Sequence, residues 1–252
     1  LQPDSTLIYP CKQDPLIINP TAAGGGRIIH YDWDGTILWD WVCDWEYQLH
    51  HDIQPTSNGT ILAIAKEDID GFMPDVVLEI EPIGMHGANI VWVWKASEHM
   101  GELDNPHTFY EDADYHLNDW NHFNAVSLNE FDEILLSSRN WSEIYVIAYN
   151  WGDGNILYRW GNPQNYGRDG EQILFAQHGV NEIPVGYPGE ENIILFNNRT
   201  EEEGSVVIEF TPDFETFEGE IIWAFENDFY APKQSGAFRL PNGNTFVTVA
   251  GG

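Results

Sequence analysis

Positive charge is scarce in this sequence of 252 residues: Lys and Arg together number 10, against 41 Asp and Glu, and the formal net charge is −31. Nucleic acids and anionic membrane surfaces are bound through clusters of basic side chains. The composition therefore argues against both as partners. It predicts an acidic, well-solvated surface, which suits a salty or extracellular setting.

Long apolar runs and cysteines are also in short supply. No run approaches the roughly 20 apolar residues that a membrane-spanning helix needs, so we expect no membrane insertion. The two cysteines, Cys11 and Cys43, could form one disulfide but do not identify a compartment. The sequence starts with Leu1 and shows no charged-then-apolar leader. We expect a signal segment to lie outside it or to have been removed, and the protein to be periplasmic or extracellular (secreted).

A fourfold repeat is the main feature that the sequence does contain. Four stretches place an aromatic pair after a Gly or Asn turn: "DGTILWDW", "GANIVWVW", "DGNILYRW" and "EGEIIWAF". Each follows another apolar strand and precedes, after a variable loop, a hairpin. This unit of four short strands with tight turns is typical of β-propeller blades. The alternative is a β-sandwich whose similarities are accidental.

The repeat predicts an all-β fold: a single β-propeller domain over residues 1–252, made of four-stranded blades, about four of which are visible. The sequence stops at "NTFVTVAGG", directly after a hairpin. An open propeller would expose strand edges that propellers otherwise seal. We therefore expect a domain that is incomplete at its C-terminus, with a missing chain segment or an oligomer completing the ring.

Three histidines occupy the same position of the repeat. In a propeller the first strand of each blade lines the central channel, so matching positions face one another across it. Superposing the hairpins puts His51, His122, His178 and Ser235 at one level. Asn124 should point to the same face as His122, because side chains alternate along a strand. The recurrence favours a functional site over a set of separate loop residues.

Cations are predicted to fall beside these histidines. Folding the hairpins with residues 128 and 134, 51 and 64, and 178 and 199 as partners brings one cation to the histidine end of each. These cations are Lys66, Arg139 and Arg199. Guanidinium and ammonium groups gathered in this way suit a bound anion with several oxygens, such as sulfate, phosphate or carboxylate.

Two other chemistries are less favoured by the motifs. No Walker-type motif is present, so phosphoryl transfer lacks its usual phosphate loop. A zinc site built from three histidines of separate blades is an alternative, although none of the three has HxH or HxxxH spacing. We expect no metal and no cofactor.

The motifs around these residues resemble a known family. The stretches "DWNHFNAV", "ILLSSRNWSEIYVI", "QHGVNEIP", "NIILFNNR", "FRLPNGNTFV" and "LHHDI" are similar to those of the arylsulfotransferases that do not use the nucleotide sulfate donor. The resemblance covers essentially the whole chain. It implies a six-bladed propeller that passes sulfate from a phenolic ester to a phenol through a sulfated histidine. The implied partners are a small-molecule aryl sulfate and a phenol.

The resemblance also implies catalytic roles, carried over by the order of the motifs. His178 matches the nucleophilic histidine, and His51 and His122 match two further active-site histidines. The sequence departs from the family in showing four blades instead of six. In addition, the stretch "GVNEIPVGYPGEEN" after His178 is longer than a tight hairpin.

Further residues are candidates for substrate binding. The resemblance implies that Asn124 and Arg139 hold the sulfate, and that Ser235 stands where the family carries a hydroxyl residue. The hairpin pairing adds Lys66 and Arg199.

Two other functions remain open from the sequence. A non-catalytic extracellular propeller, acting as a scaffold, filament subunit or binding module, also fits the acidic surface. A quinone-cofactor dehydrogenase has repeated Trp-bearing blades too, but no carboxylate–metal group supports it here. Glycosylation patterns occur at Asn58, Asn140 and Asn198, and a sugar on either of the last two would crowd the expected channel mouth.

Overall fold

The computed structural model describes residues 4–13, 24–43, 46–99, 119–149 and 153–251. They fall into two compact units, one from Leu1–Glu98 and Ala113–His122 and the other from His99–Asp112 and Phe123–Gly252. Strands dominate both, and the helical segments are one short α-helix at Ala96–His99 and one 3-10 turn at Pro163–Tyr166. No helix among these residues is long and apolar enough to cross a membrane.

The first unit contains two antiparallel sheets with strands in chain order. The strands are β1 (Leu7–Lys12), β2 (Gly26–Tyr31) and β3 (Ile37–Val42) in one sheet, and β4 (Tyr47–Pro55), β5 (Ile61–Glu67), β6 (Asp75–Ile83) and β7 (Gly87–Lys95) in the other. Every residue of β5 is buried, as expected for an apolar strand with a neighbour on each side. No disulfide joins Cys11 on β1 to the buried Cys43 in the part of the chain described here.

The second unit contains two four-stranded antiparallel sheets and one hairpin. The strands are β8 (Phe123–Leu128), β9 (Glu133–Ser138), β10 (Glu143–Ala148) and β11 (Ile156–Trp160), then β12 (His178–Glu182), β13 (Ile193–Asn197), β14 (Val206–Asp213) and β15 (Glu218–Glu226), and finally β16 (Gly236–Arg239) and β17 (Thr245–Thr248). Apolar side chains of the two larger sheets share one buried cluster, in which the rings of Trp160 and Phe210 stack at 4.0 Å.

The predicted all-β fold of four-stranded, blade-like sheets is confirmed. The blade boundaries lie elsewhere than the repeat suggests, because each complete sheet opens with the hairpin and closes with the aromatic strand. The described strands thus form three four-stranded sheets, with a three-stranded sheet before them and a two-stranded hairpin after them. Strand pairing, and not the length of the connections, sets these boundaries. Strands β3 and β4 belong to different sheets although few residues separate them, whereas β12 and β13 pair across a longer connection.

Bulges at the start of the hairpins alter the predicted pairings. Leu128 pairs with Ile134 as predicted, but a bulge after Phe123 sets that residue opposite Ser138, one place earlier than the regular pairing requires. In the first unit, a bulge places His51 between the regular pairs Leu49–Ala65 and Ile53–Ala63. Residue 64, the predicted partner of His51, lies between the same two pairs.

The predicted partner of His178 is wrong. His178 lies opposite Phe196, three residues before Arg199. Between β12 and β13, Ile183 N donates to Asn192 O and Glu191 N donates to Ile183 O, and these backbone hydrogen bonds fix the register. Arg199 therefore lies beyond the strand, where its guanidinium Nη1 is 3.0 Å from Glu226 Oε1.

A buried ion pair anchors the second unit. Arg159 donates from Nε to Glu143 Oε2 at 2.8 Å and from Nη2 to Oε1 at 2.9 Å, and neither side chain has exposed surface. Asn165 Nδ2 donates to the same carboxylate at 2.6 Å. Because all of these groups are out of water, loss of one partner leaves the other charge buried and uncompensated.

We expect Arg159→Met to lower the free energy of unfolding by about 3–5 kcal/mol, since the buried Glu143 then loses its counterion and the hydrogen bonds that Arg159 donates. Urea unfolding of the purified chain measures this. Arg199→Met is the matched control: its ion pair with Glu226 is largely exposed, so the loss should stay below about 1 kcal/mol. Equal losses in the two variants would contradict the assignment.

Candidate active site

Two of the predicted histidines have a strained backbone. His51 and His122 adopt left-handed conformations, with φ of 52° and 50°. Such angles are uncommon outside glycine and cost roughly 1–2 kcal/mol each. Each histidine lies at or beside a β-bulge, which redirects a side chain away from the regular alternation of a strand. The two hairpins therefore use the same local device to aim an imidazole.

The two imidazoles meet within the first unit. The ring centroids of His51 and His122 are 4.7 Å apart, with 58° between the ring planes. The sequence thus placed these two side chains correctly at a shared position. A third imidazole, that of the buried His50, extends the cluster: its Nδ1 is 2.7 Å from His51 Nδ1.

The protonation of His51 follows from its neighbours. His50 Nε2 lies 3.2 Å from Asp75 Oδ1, close to the carboxylate although not aligned for a hydrogen bond. The negative charge of the carboxylate favours the proton of neutral His50 on Nε2. Its Nδ1 then accepts a hydrogen bond, and the donor is His51 Nδ1–H. The lone pair of neutral His51 is consequently on Nε2.

Lys66 lies beneath the cluster and is bound to two carboxylates. Its Nζ is 2.7 Å from Asp75 Oδ1 and 3.0 Å from Asp119 Oδ1, and only 1% of its side chain is exposed. The ammonium group is thus engaged by carboxylates, and the prediction that it binds substrate finds no support in this geometry. Burial by itself would lower the pKa of Lys66, but the charges of Asp75 and Asp119 outweigh it and raise that pKa.

Asp119 connects Lys66 to His122. Its Oδ2 is 2.6 Å from His122 Nδ1, and the His122 side chain is 11% exposed. Burial opposes ionisation of Asp119, yet the hydrogen bond from His122 and the charge of Lys66 lower its pKa to about 2. An ionised carboxylate only accepts hydrogen bonds, so His122 donates from Nδ1 and its neutral ring keeps the lone pair on Nε2.

His178 begins strand β12 of the second unit and is 6% exposed. Its Nδ1 faces two acceptors, Ala176 O at 2.9 Å and Asn198 Oδ1 at 2.8 Å. The Nδ1 atom therefore carries the proton, and the lone pair of the neutral ring is on Nε2, as a nucleophile requires.

Asn198 is itself held in place. Its Nδ2 donates to Ala231 O at 2.7 Å and to Gln234 O at 3.1 Å, so its Oδ1 is directed at His178. It has no exposed surface. A glycan on this folded asparagine is therefore sterically excluded, whereas Asn58 lies on an exposed turn.

Asn124 supports the same segment from the neighbouring sheet. Its Nδ2 donates to Gln177 O at 2.7 Å, directly before His178. Gln177 in turn donates to Ser137 Oγ, Ser138 O and Glu143 O at 2.9–3.1 Å. No second acceptor for the Asn124 amide group is found among the described contacts, and its Oδ1 is buried without a hydrogen-bond partner there.

Ser235 also lies near the start of β12. A side chain on Gly179 would come within 2.6 Å of Gly236 Cα and 3.1 Å of Ser235 O, so the two backbones touch here. Gly179 has φ of 60°, which glycine adopts without strain. The predicted common level of His178 and Ser235 fits this approach, although Ser235 Oγ accepts a hydrogen bond from Ala250 N at 3.0 Å.

The three predicted cations differ in their partners. Lys66 and Arg199 are bound to carboxylates. Arg139 donates from Nη1 to the neutral Asn140 Oδ1 at 3.0 Å, and no carboxylate contacts it in the described part of the chain. Arg139 is thus the best placed of the three to receive an anion.

Several residues of these clusters escape prediction from sequence. They are His50, Asp75, Asp119, Gln177 and Asn198. All of them except Asp75 lie inside the stretches that carry the family resemblance, so their closeness to the predicted site residues was the available signal. The two aspartates are hidden among 41 acidic residues, and 53 positions separate Lys66 from Asp119.

The comparison with known families decides the identity. A model of the family described as "Arylsulfotransferase (ASST)" matches residues 21–251. The chain belongs to the arylsulfotransferase family. This confirms the family inferred from the motifs, and with it the general assignment to sulfotransferase chemistry.

Solved structures resemble this arylsulfotransferase-family chain in fold at low sequence identity. A Bacteroides caccae protein of unknown function superposes with a TM-score of 0.51 at 12% identity, over 90% of this chain and 68% of that one. A Bacteroides fragilis protein gives a TM-score of 0.49 at 11% identity, over 99% and 62% of the two chains. The chain thus spans about two thirds of the length of these structures. No curated protein matches it significantly.

The buried His50 should make stability depend on pH. Burial lowers the pKa of His50 despite the opposing charge of Asp75. In the unfolded chain His50 binds a proton near pH 6.5, whereas in the folded chain it stays neutral at that pH. The free energy of unfolding therefore falls as the pH drops below about 6.5. The lowered pKa values of Asp75 and Asp119 add a further loss only below about pH 3.9, the ordinary aspartate value.

Chemical unfolding of the parent and of His50→Gln at about pH 7 and about pH 5 measures this effect. We expect the parent to lose more stability on acidification than His50→Gln does. His86→Gln, at an exposed position, should behave like the parent. The same acid loss in all three proteins would show that His50 does not carry the effect.

Proposed function

We propose that this chain is an aryl-sulfate sulfotransferase that moves a sulfuryl group from a phenolic sulfate ester to a phenol in a ping-pong reaction, with His178 as the nucleophile. The observation that carries the proposal is the double hydrogen bond at His178 Nδ1, which leaves the lone pair on Nε2. Family membership supports the substrate class.

In the first half-reaction, His178 Nε2 attacks the sulfur in line with the aryl oxygen. The N–S bond forms as the S–O bond to the aryl group breaks, and the leaving phenolate takes a proton from the imidazolium of His122 or His51. Positive charge grows on the ring of His178 as it is sulfated. Its Nδ1–H hydrogen bonds to Ala176 O and Asn198 Oδ1 stabilise that charge.

In the second half-reaction, the acceptor phenol loses its proton to the imidazole that became neutral in the first. The phenol oxygen attacks sulfur, the N–S bond breaks, and His178 returns to its neutral form. A positioned proton carrier of this kind contributes about 10²–10⁴-fold to the rate. No cofactor enters either step, because the donor ester brings the sulfuryl group.

Binding of the anion falls to Arg139 and Asn124 in this proposal. Guanidinium matches a multi-oxygen anion through parallel N–H donors. Beyond its bond to Gln177 O, the amide group of Asn124 has no second acceptor among the described contacts. Ser235 is assigned to substrate binding through its hydroxyl group. Periplasmic or extracellular location, and an oligomer or further chain segment that completes the propeller, remain part of the proposal.

A chromogenic phenyl sulfate with a phenol acceptor tests the reaction. We expect turnover by the parent and, without acceptor, a peptide containing His178 that gains the mass of one sulfuryl group. His178→Asn should lose the adduct and reduce turnover roughly 10³-fold or more. His86→Asn, at an exposed histidine, should keep both. Adduct formation and turnover at the parent's level in His178→Asn would disprove the nucleophile. A parent without turnover would favour the non-catalytic scaffold.

The two arginines of the second unit separate anion binding from surface charge. We expect Arg139→Gln to reduce kcat/KM for the aryl sulfate by about 10- to 100-fold, since a charged hydrogen bond to the sulfate is lost. Arg199→Gln, which removes a partner of Glu226, should change it less than about threefold. Steady-state kinetics at constant ionic strength measure both. The reverse order of effects would reassign the sulfate to Arg199.

A further inference from the structure

A continuous chain of polar contacts links the histidines of the first unit. It runs from His51 to His50, Asp75 and Lys66, and then through Asp119 to His122. The ring contact between His122 and His51 closes it. We infer that four buried residues of this chain of contacts are positioning residues: His50, Lys66, Asp75 and Asp119. They hold the neutral rings of His51 and His122 in the tautomer with the proton on Nδ1. We further infer that His122 is the proton carrier.

The assignment of His122 as carrier rests on the proposed function, and it follows from the arm through Asp119. When His122 takes a proton at Nε2, its ring becomes a cation whose Nδ1–H is 2.6 Å from a carboxylate oxygen. A charge-assisted hydrogen bond of this length stabilises the imidazolium strongly. The Nε2–H is then the proton that can be returned to a leaving phenolate.

His51 is connected to a carboxylate less directly than His122 is. Between His51 and the carboxylate of Asp75 lies the ring of His50. Burial lowers the pKa of His50, so that ring stays neutral. A protonated His51 would therefore meet a neutral imidazole at 2.7 Å instead of a carboxylate. It would also lie beside His122, and two cationic rings with centroids 4.7 Å apart repel each other.

Lys66 keeps both carboxylates in the form that this arrangement needs. Without its ammonium group, two buried carboxylates would lose their shared counterion, and one would take up a proton. A protonated carboxyl group can donate a hydrogen bond to a ring nitrogen, which would move the imidazole proton to Nε2. Lys66 thus determines the histidine tautomers indirectly, because it keeps the carboxylates of Asp75 and Asp119 ionised.

Nitrogen-15 NMR of the full chain labelled in histidine tests the tautomers without reference to catalysis. At about pH 8, where ordinary imidazoles are neutral, we expect His51 and His122 to show a protonated Nδ1 and an unprotonated Nε2. His51→Gln and His122→Gln assign the signals. A protonated Nε2 in either neutral ring of the parent would overturn the inference.

Kinetics with the phenyl sulfate test the carrier. We expect Asp119→Asn to lower kcat about 10²–10⁴-fold, because the amide can turn its NH₂ to Nδ1 and favour the wrong tautomer. KM should change less than about threefold. His122→Gln should lower kcat by a similar factor. The double variant Asp119→Asn/His122→Gln should lower kcat no further than either single variant. His51→Gln should lose only about 10-fold.

Folding and rescue distinguish positioning from general damage. Each variant is compared with the parent by circular dichroism and thermal unfolding, and Lys66→Arg, which keeps the charge, should retain the parent's tautomers where Lys66→Met does not. A folded Asp119→Asn enzyme that works at the parent rate would overturn the carrier role. So would losses that multiply in the double variant.

Failure of the proposed function would look different. A parent that shows the expected tautomers but transfers no sulfate would refute the proposed reaction, and the carrier role with it, while the positioning by Lys66, Asp75 and Asp119 would stand.

Discussion

The ammonium group of Lys66 is the contact on which the histidine cluster of the first unit depends. It lies within 3.0 Å of two carboxylates, Asp75 and Asp119, in a region that excludes water almost completely. Carboxylates so close together repel each other unless a cation neutralises them. With Lys66 between them both remain ionised and act only as acceptors. Each then determines which nitrogen of a neighbouring imidazole carries the proton, so one buried charge orients rings on two different segments of the chain.

The backbone contributes through irregularity instead of regular strand geometry. The hairpin at His51, the one at His122 and the one at His178 each contain a bulge at the histidine end. In the first two the histidine itself takes the left-handed conformation, whereas beside His178 that conformation passes to Gly179. The glycine also permits the close approach of Gly236, which no other residue type would allow. The three hairpins thus share a bulge with a left-handed residue, although that residue is a histidine in two of them and a glycine in the third.

The sequence is a good guide to whatever depends on short-range pattern. Alternating apolar residues and tight turns predicted the strands, and the repeat predicted that His51 and His122 occupy matching positions. Prediction failed where one residue more or less changes the pairing: the bulges moved Phe123 by one place, and the real register of β12 left Arg199 three places from His178. It also failed for Lys66, whose role depends on Asp119, a partner 53 residues away. Long-range polar contacts leave no periodic trace in a chain with 41 acidic residues.

The proposed reaction poses an electrostatic problem, because it would bring an anionic ester to an acidic protein. A net charge of −31 repels sulfate esters at long range, but salt screens that repulsion beyond about 8 Å at physiological ionic strength. Capture then depends on the last few ångströms, where local donors outweigh distant carboxylates. Of the ten cations, six have an acidic partner among the described residues: Arg27, Lys66, Lys95, Arg159, Arg199 and Arg239. Of the three cations predicted beside the histidines, Arg139 differs from Lys66 and Arg199 because its guanidinium is bound to a neutral amide and keeps its charge for a ligand.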